Sequence, residues 1–505
     1  MTAAAIAACA VLTAIYLLRL NTAAGLLGDD AWYILLARSL ASGDGFTLTN
    51  MPEGGLPKYP PGFPALLSLV FLATPAFPAN VYLLKAISVI AMAGVGVVSF
   101  RYFIQRAVPK LLAAALAIAV VSTPAFVFLA TSTVMSECVF ALSLLVTLLL
   151  VERSLRVGTT GSVVVAAVLA AATVLIRTAG APLLLAVPVY LCWKRRWRRA
   201  ALFLVTAAAC LAPWLAYTAS RPPSPQGSYT TEVWRRWADD PSSGAVTMLD
   251  LPARIGNNAV DVFGRAVAGI VVPELFRGPT ESGEETVSLG GAWSATASGS
   301  MGSAAGTMVV SFLLSALAAI GFVSAVRRSA TATEFFIPLS VALTLLWPFW
   351  SYRFVLPLTP YLLFYLLTGV QALTGHWVRV ARVALLCIVG LHLLDHSLYL
   401  ARQRDAVWLA DAREVDEMMT WMRESLQGPG AVASTNPALV HLHTGRASIS
   451  SGDYRRHWED WKAGGVRYIA AVRTAPLPGP FFEYTLLYQS ARRKLWVIEI
   501  HRVSD

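Results

Sequence analysis

Two adjacent carboxylates, Asp29 and Asp30, head the stretch GDDAWYILLARSLASGDGF (28–46), directly after the first long apolar run. An acidic pair in that place has three readings. Gly28 and Asp29 suit a helix N-cap, and Asp30 then complements the helix dipole. Two carboxylates can help to hold a cation. A carboxylate fixed in space can also take the proton of a hydroxyl or amine acceptor as a bond forms. Cap and base are compatible roles, although the dipole lowers a carboxyl pKa while a like neighbour raises one of the pair.

Other ionisable residues sit beside or inside apolar runs, where a charge is costly and by default a functional candidate. Glu137 lies in TSTVMSECVF, Arg177 in LIRTAG, and Arg353 follows Tyr352 in FWSYRFVLPLTP. Lys58 and Tyr59 precede the prolines of KYPPGFP. Each charge taken singly has a plainer reading, snorkelling to the interface or a structural ion pair. Two acids and two arginines directed to one pocket suit a particular reaction. A sugar on a polyprenyl phosphate leaves a phosphate at its anomeric carbon, whose growing charge Arg353 and Arg177 can stabilise. One carboxylate of the group Asp29, Asp30 and Glu137 would be the base, and the others would shape the acidic site. Lys58, Tyr59 and Tyr352 are further candidates for substrate contact. The chain has no GxxxxGK loop to cradle a soluble nucleotide.

These residues need a membrane around them. The chain has 505 residues, 56% hydrophobic and 14% charged, with mean hydropathy +0.60. Soluble domains carry roughly 25% charged residues, so a polytopic membrane protein is expected. Spanning helices need about 20 apolar residues. Runs near 3–20, 81–103, 111–130, 134–151, 162–176, 179–193, 200–219, 305–326, 335–350, 355–373 and 383–400 meet that need, predicting about eleven spans. The first run has no basic n-region and reads as an uncleaved helix.

Orientation follows from the basic residues. With the N-terminus inside, the inner loops hold Arg101, Arg106 and Lys110; Arg153 and Arg156; Lys194, Arg195, Arg196, Arg198 and Arg199; Arg327 and Arg328; Arg379 and Arg382. That satisfies the positive-inside rule and explains much of the net charge of +11. FPALLSLVFLATPAF (63–77) is too short to span, and counting it as a span would turn every basic cluster outward. It is read as an interfacial helix. The outer face then carries loops 21–80 and 221–304 and the C-terminal region.

Within the long loop, TEVWRRWADD (231–240) could form an amphipathic surface helix, between Gly-, Ser- and Pro-rich flanks such as RPPSPQGS and SATASGSMGSAAG. In the tail, DAREVDEMMTWMRESL puts Val415, Met418, Met419, Met422 and Leu426 on one helical face. GAVAST, GVRYIAAV and KLWVIEIHRV read as strands, so residues 402–505 fit a small α/β domain after a membrane domain of 1–401.

Three other features are set aside. Cys9, Cys138, Cys192, Cys210 and Cys387 all lie in apolar runs without metal spacing and read as small buried hydrophobes. His441 and His443 in HLHTGR lack a nearby third ligand, so a surface turn explains them. WKRRWRR (193–199) mixes aromatic and basic residues as nucleic-acid binders do. Its place between two spans on the inner face points to anionic lipid headgroups instead, and no nucleic-acid partner is expected.

With these residues in view, the sequence resembles the GT-C class of integral membrane glycosyltransferases. The similarity is to the branch of protein O-mannosyltransferase-like enzymes and lipid A aminoarabinose transferases, over most of residues 1–400. There an acidic pair follows the first span, a Pro-Pro segment follows in the same loop, and an acid sits near the fourth span, as Glu137 does. An Arg-aromatic-x-Leu-Pro stretch is matched by RFVLPLTP. The resemblance implies that Asp29 is the catalytic carboxylate, Asp30 its acidic neighbour, and Arg353 a group that meets the donor phosphate. The chain departs from the pattern in having Tyr59 directly before Pro-Pro, with Lys58 one place earlier, and Asp30 where Glu is frequent.

The expected protein is thus a GT-C-like, multi-pass helical enzyme of the cytoplasmic membrane. It moves a monosaccharide from a polyprenyl-phosphate donor to a glycan, lipid or protein acceptor on the extracytoplasmic side, with inversion. No cofactor is required by any spacing, although Asp29, Asp30 and Glu137 together could hold a divalent cation. A transporter or flippase of a lipid-linked sugar, or a non-catalytic membrane partner, would use the same charges differently.

Overall fold

The apolar runs fold as helices whose ends gather the charges into two groups, one at each end of a central bundle. The computed structural model describes residues 3–51, 54–222, 227–237, 240–272, 301–348, 352–374, 378–401, 407–426, 428–451, 461–462, 464–472, 477–479 and 482–503. Much of the long loop, including 273–300 and parts of RPPSPQGS and SATASGSMGSAAG, lies outside them.

The first helices are α1 (Ala3–Arg19), α2 (Asp29–Ser42), α3 (Gly62–Ala73), α4 (Val81–Gln105) and α5 (Lys110–Val121). There follow α6 (Pro124–Thr131), α7 (Glu137–Val157), α8 (Thr160–Ile176), α9 (Leu183–Trp193) and α10 (Trp197–Ala219). The loop that comes next carries α11 (Tyr229–Glu232), α12 (Leu251–Asp261) and α13 (Val267–Val271). The bundle closes with α14 (Met301–Ser329), α15 (Ala332–Leu346), α16 (Tyr352–Val355), α17 (Thr359–Thr374) and α18 (Val378–Ala401).

Five of the described helical segments are long and apolar enough to cross a membrane: Val81–Gln105, Trp197–Ala219, Met308–Ser329, Tyr352–Leu373 and Arg379–Ala401. The pair α5 and α6, bent by 51°, makes a sixth if it is one broken span. The chain is therefore a multi-pass membrane protein, and the count meeting both criteria is below the eleven expected. The described parts of α1, α8, α9 and α15 are apolar but only 10–17 residues long. The α7 helix opens on Glu137 and carries Glu152 and Arg153. As expected, α3 is short, 12 residues or about 18 Å, against a hydrocarbon core of about 30 Å.

Arg106, just past the end of α4, pairs with Glu152 of α7 at 3.2 Å and Glu334 of α15 at 3.3 Å. Glu334 also caps its own helix, accepting from the Thr331 backbone at 2.7 Å. Three of the basic loops of the sequence reading, those next to Arg106, Arg153 and Arg328, thus meet at one end of the bundle. Glu137 heads α7 fifteen residues before Glu152, about 22 Å away along the axis, so the second charge group stands at the opposite end.

The tail holds a helix and a five-stranded sheet. Val415, Met418, Met419, Met422 and Leu426, on or just after α19 (Val407–Ser425), are all buried. Strands β3 (Ala431–Ser434), β5 (Val466–Ala471) and β7 (Trp496–Val503) match the three expected. Two were not foreseen, β4 (Ser448–Ser450) and β6 (Phe482–Gln489). The sheet order is β4-β3-β5-β7-β6. β3 runs parallel to β4 and β5, and α20 (Pro437–Thr444) crosses over between β3 and β4. β7 is antiparallel to both its neighbours.

Two expectations are corrected. Residues 231–240 do not form an amphipathic helix: α11 ends at Glu232, and β1 (Arg235–Trp237) pairs antiparallel with β2 (Asp240–Ala245). Pro241 disfavours a helical Asp240. The Arg254 guanidinium donates to the carbonyls of Val233, at 2.5 Å, and Arg235, taking acceptors a helix would need. Cys387 is exposed on α18, not buried; Cys138 is buried, and Cys192 and Cys210 are half-buried. The Cys9 side chain lies outside what the structure describes. In WKRRWRR, Trp193 and Trp197 are exposed and the Lys194 ammonium lies 4.2 Å over the Trp193 ring.

Candidate active site

Asp29 and Asp30 occupy the first two positions of α2, after Gly28. Successive helical residues point about 100° apart, so the two carboxylates separate. Asp29 faces the far end of the bundle. Asp30 is fully buried on the other side, where its Oδ2 accepts from the Gly25 N–H at 2.8 Å and its Oδ1 from the Ala31 N–H at 3.0 Å. The acidic pair is therefore one carboxylate for the site and one for the chain that leads to it.

Asp29 accepts from the Tyr59 hydroxyl at 2.9 Å on one oxygen, and from Arg353 Nη1 and Nη2 at 3.2 and 3.1 Å on the other. Its side chain is 30% exposed, whereas that of Arg353 is 9% and that of Glu137 is fully buried. Arg353 turns its other edge to Glu137 Oε1, with Nε at 2.8 Å and Nη2 at 2.7 Å. Arg177 Nη1 reaches the same oxygen at 3.1 Å and also donates to Ser136 Oγ at 3.1 Å. Glu137 Oε2 is buried and has no hydrogen-bond partner among the described residues. Two acids and two arginines from α2, α7, α16 and the end of α8 thus form one contiguous, electrically neutral group.

Local sequence explains the convergence. α8 stops at Ile176 and Arg177 is extended (φ −156°, ψ 128°), which turns the chain out of the helix. Gly62, after the two prolines, lies against that turn; a Cβ there would stand 2.7 Å from the Leu175 carbonyl carbon and oxygen. Only a glycine lets the Tyr59-Pro-Pro loop pack so close to Arg177. Tyr59 and Tyr33 contact each other at 5.0 Å, and Tyr33 meets Phe63 edge-on. Arg353 sits in α16, a single turn, and Pro357 follows in a 3-10 turn.

Charges shape the proton affinities of this loop region. Burial pushes the Asp29 carboxyl up, but Arg353, then Lys58, the Tyr59 hydroxyl and Arg177 outweigh it and hold it below the ordinary carboxylate value. Burial and the Asp29 charge push the Tyr59 hydroxyl well up. Burial is also the first cause that lifts the Tyr33 hydroxyl to about 12. Asp29 is ionised at neutral pH and its tyrosine neighbours are not.

The remaining expected residues divide. Lys58 is beside the site, held by Glu232 of α11 at 3.0 Å. Tyr352 is not directed to the ion pairs: it is buried, and its hydroxyl donates to the Gly269 carbonyl at 3.3 Å, fixing α13. The three acids do not fit a divalent cation as placed. Asp30 is turned away, and the Arg353 guanidinium already bridges the other two. Among the described residues no group of three or more His, Cys, Asp and Glu side chains is set to hold a metal ion. His441 bonds the Arg446 carbonyl at 2.9 Å, and His443 packs edge-on against Phe77.

Sequence reasoning missed Glu232, Tyr229 and Lys85. Nothing in the loop pattern marks the first two; burial, then Tyr33 and the Asp29 charge, push the Tyr229 hydroxyl up. Lys85 carried a signal, a lone lysine within the apolar run of α4. It is fully buried, and its Nζ donates to the Asn21 carbonyl at 2.5 Å, Asn21 Oδ1 at 3.1 Å and the Thr131 carbonyl at 2.9 Å.

Comparison with known proteins follows the same lines. Residues 58–272 match the sequence profile of glycosyltransferase family 87. The chain is similar in structure to ArnT from Cupriavidus metallidurans, solved bound to undecaprenyl phosphate. There 14% of residues are identical, 98% of this chain and 97% of that chain are covered, and the TM-score is 0.52. It is also similar to the Archaeoglobus fulgidus oligosaccharyltransferase, solved with zinc and sulfate, at 14% identity over 96% of this chain and 72% of that one, with a TM-score of 0.52. Compared with the curated proteins, the chain finds no match. In fold, and in the family 87 segment set within it, the chain is similar to the GT-C class of integral membrane glycosyltransferases, as its acidic pair and its Arg353 motif led one to expect.

Proposed function

We propose that the chain transfers a monosaccharide from a polyprenyl-phosphate donor to an acceptor hydroxyl or amine, with inversion, at the extracytoplasmic face of the cytoplasmic membrane. One observation carries the proposal: a single guanidinium, Arg353, spans from the partly exposed Asp29 to the buried Glu137 beside Arg177. The undecaprenyl phosphate of the ArnT structure supports a donor of that chemical class. So does a site built from cations at the end of apolar helices.

Asp29 takes the proton of the acceptor as the acceptor atom bonds to the anomeric carbon, and the bond from that carbon to the phosphate oxygen breaks. The electron pair leaves with the phosphate, where Arg353 and Arg177 stabilise it. As Arg353 turns to the phosphate, Asp29 loses its strongest cationic neighbour and becomes a better base. Glu137 keeps both arginines in reach, and its unpartnered Oε2 can accept from a sugar hydroxyl. Lys58 and Tyr59 line the same entrance.

On this reading all eleven apolar runs are inserted, the shorter ones tilted or broken. The site belongs to a membrane domain of residues 1–401, with 402–505 as an extracytoplasmic domain above it. The acceptor, a glycan, lipid or protein, enters from that side.

The test uses the full chain reconstituted in vesicles with polyprenyl-phosphate sugars and candidate acceptors. Glycosylated product, detected by mass spectrometry, is the expected result. Movement of unmodified lipid-linked sugar between leaflets without product would overturn the proposal in favour of a transporter.

A further inference from the structure

The tail is bolted to the loop that carries Asp29, and one of its bolts differs from the others. Asn50 and Ser448 exchange two hydrogen bonds, Asn50 Nδ2 to the Ser448 carbonyl at 2.7 Å and the Ser448 N–H to the Asn50 carbonyl at 2.8 Å. Arg38 Nη1 donates to the Leu442 carbonyl at 3.2 Å. These contacts dock the tail onto the far end of α2 and the loop beyond it. Asn436 reaches the strap ahead of α2 instead. Its Nδ2 donates to the Gly25 carbonyl at 2.6 Å, inside the protein.

Gly25 is the junction. Its N–H donates to Asp30 Oδ2 at 2.8 Å, so the two polar groups of one residue are held from two directions. Its φ of +82° suits glycine, and a Cβ there would stand 2.4 Å from Leu439 Cδ1 of α20. Upstream, Lys85 holds Asn21 from inside the bundle. The strap 21–28 is thus fixed at its start by the membrane helices and at Gly25 by the tail, and it ends on Asp29.

We infer that the C-terminal sheet region positions the reactive carboxylate, through Asn436 acting on Gly25 and Asp30. Asn436 is a positioning residue: it touches no atom of the ion-pair site. Its Oδ1 has a separate task, capping α20 by accepting from the Leu439 N–H at 3.3 Å. That division supplies the test, because serine is also a good N-cap but too short to reach Gly25.

The full chain in detergent is compared as wild type, Asn436→Ser and Asn50→Ala, by hydrogen exchange of residues 21–31. Asn436→Ser is expected to speed exchange there by about tenfold or more, by local opening of the strap, with Asn50→Ala within roughly threefold of wild type. No change in Asn436→Ser, or an equal rise in both variants, overturns the inference. Should Asn436→Ser fail to accumulate, Asn436→Asp keeps the cap acceptor and lacks the donor, and is read in the same way.

A second readout rests on the proposed function. Turnover in Asn436→Ser falls about tenfold or more while the donor KM stays within roughly threefold, since a small misplacement of a base costs rate rather than binding. A wild-type chain without transfer activity would defeat the functional proposal and leave the exchange result to decide this one.

Discussion

Asp29→Asn is expected to lower the single-turnover rate of sugar transfer by about 10³-fold, within the range a general base contributes. The amide oxygen can still accept from Arg353, whose bonds to Glu137 are untouched, while the amide NH2 can donate to the Tyr59 hydroxyl oxygen. Folding and donor binding should therefore survive, and the loss falls on the step that moves the proton. Asp30→Asn is the internal control. That side chain faces Gly25, and an amide oxygen can still accept from its N–H. It should keep turnover within about tenfold of wild type, since no base is lost. Rates measured at saturating donor separate the two. An Asp29→Asn enzyme retaining most of its rate would remove Asp29 as base.

Arg353→Gln should produce the second large effect, in two observables. It removes a buried cation from between two carboxylates, and breaking one partner out of such a group costs about 3–5 kcal/mol. Thermal unfolding in detergent should show a clear fall. The fall is limited by Arg177, which still pairs with Glu137 at 3.1 Å. The other observable is pH dependence. In the wild type, Asp29 is held below the ordinary carboxylate value, Arg353 being the largest opposing cause after burial.

A carboxyl depressed in the folded state contributes stability that is fully present above its unfolded pKa of about 3.9. That stability is lost as the pH falls through the lower folded value. In Arg353→Gln burial remains and the main opposing charge is gone, so the carboxyl rises. The acid limb of kcat/KM should then move to higher pH, and the stability that Asp29 contributed on ionising should shrink or reverse. An unmoved acid limb would mean that Arg353 does not govern the base.

The main lines of both the fold and the site were legible because ionisable residues in hydrocarbon are few and expensive. Asp29, Glu137, Arg177 and Arg353 stood out against apolar runs, and the distribution of Lys and Arg told which helix ends lie together. The Arg106–Glu152–Glu334 group at one end and the Asp29–Arg353–Glu137 group at the other agree with that reading.

What escaped the sequence depends on direction, which residue type does not encode. Asp29 and Asp30 look equivalent in a string and diverge on a helix. Tyr352 adjoins Arg353 yet bonds Gly269. Glu232 finds Lys58 across 174 residues, from a loop without periodicity. The expected helix at 231–240 failed because Pro241 and the Arg254 contacts outweigh an amphipathic pattern. β6 lies at the sheet edge and is mostly solvent-facing, whereas Trp496, Val497 and Ile498 of β7 are buried.

The chemistry depends on where the ion-pair site opens. Asp44 is exposed just beyond the far end of α2, in the same expected outer loop, 21–80, as Asp29, and Arg195 is exposed in the basic loop between α9 and α10. Cysteines placed singly at these positions, in intact cells treated with a membrane-impermeant maleimide, give the most direct measurement. Asp44→Cys should be labelled from outside and Arg195→Cys only after permeabilisation. Labelling of Arg195→Cys from outside, with Asp44→Cys protected until the membrane is opened, would contradict the account.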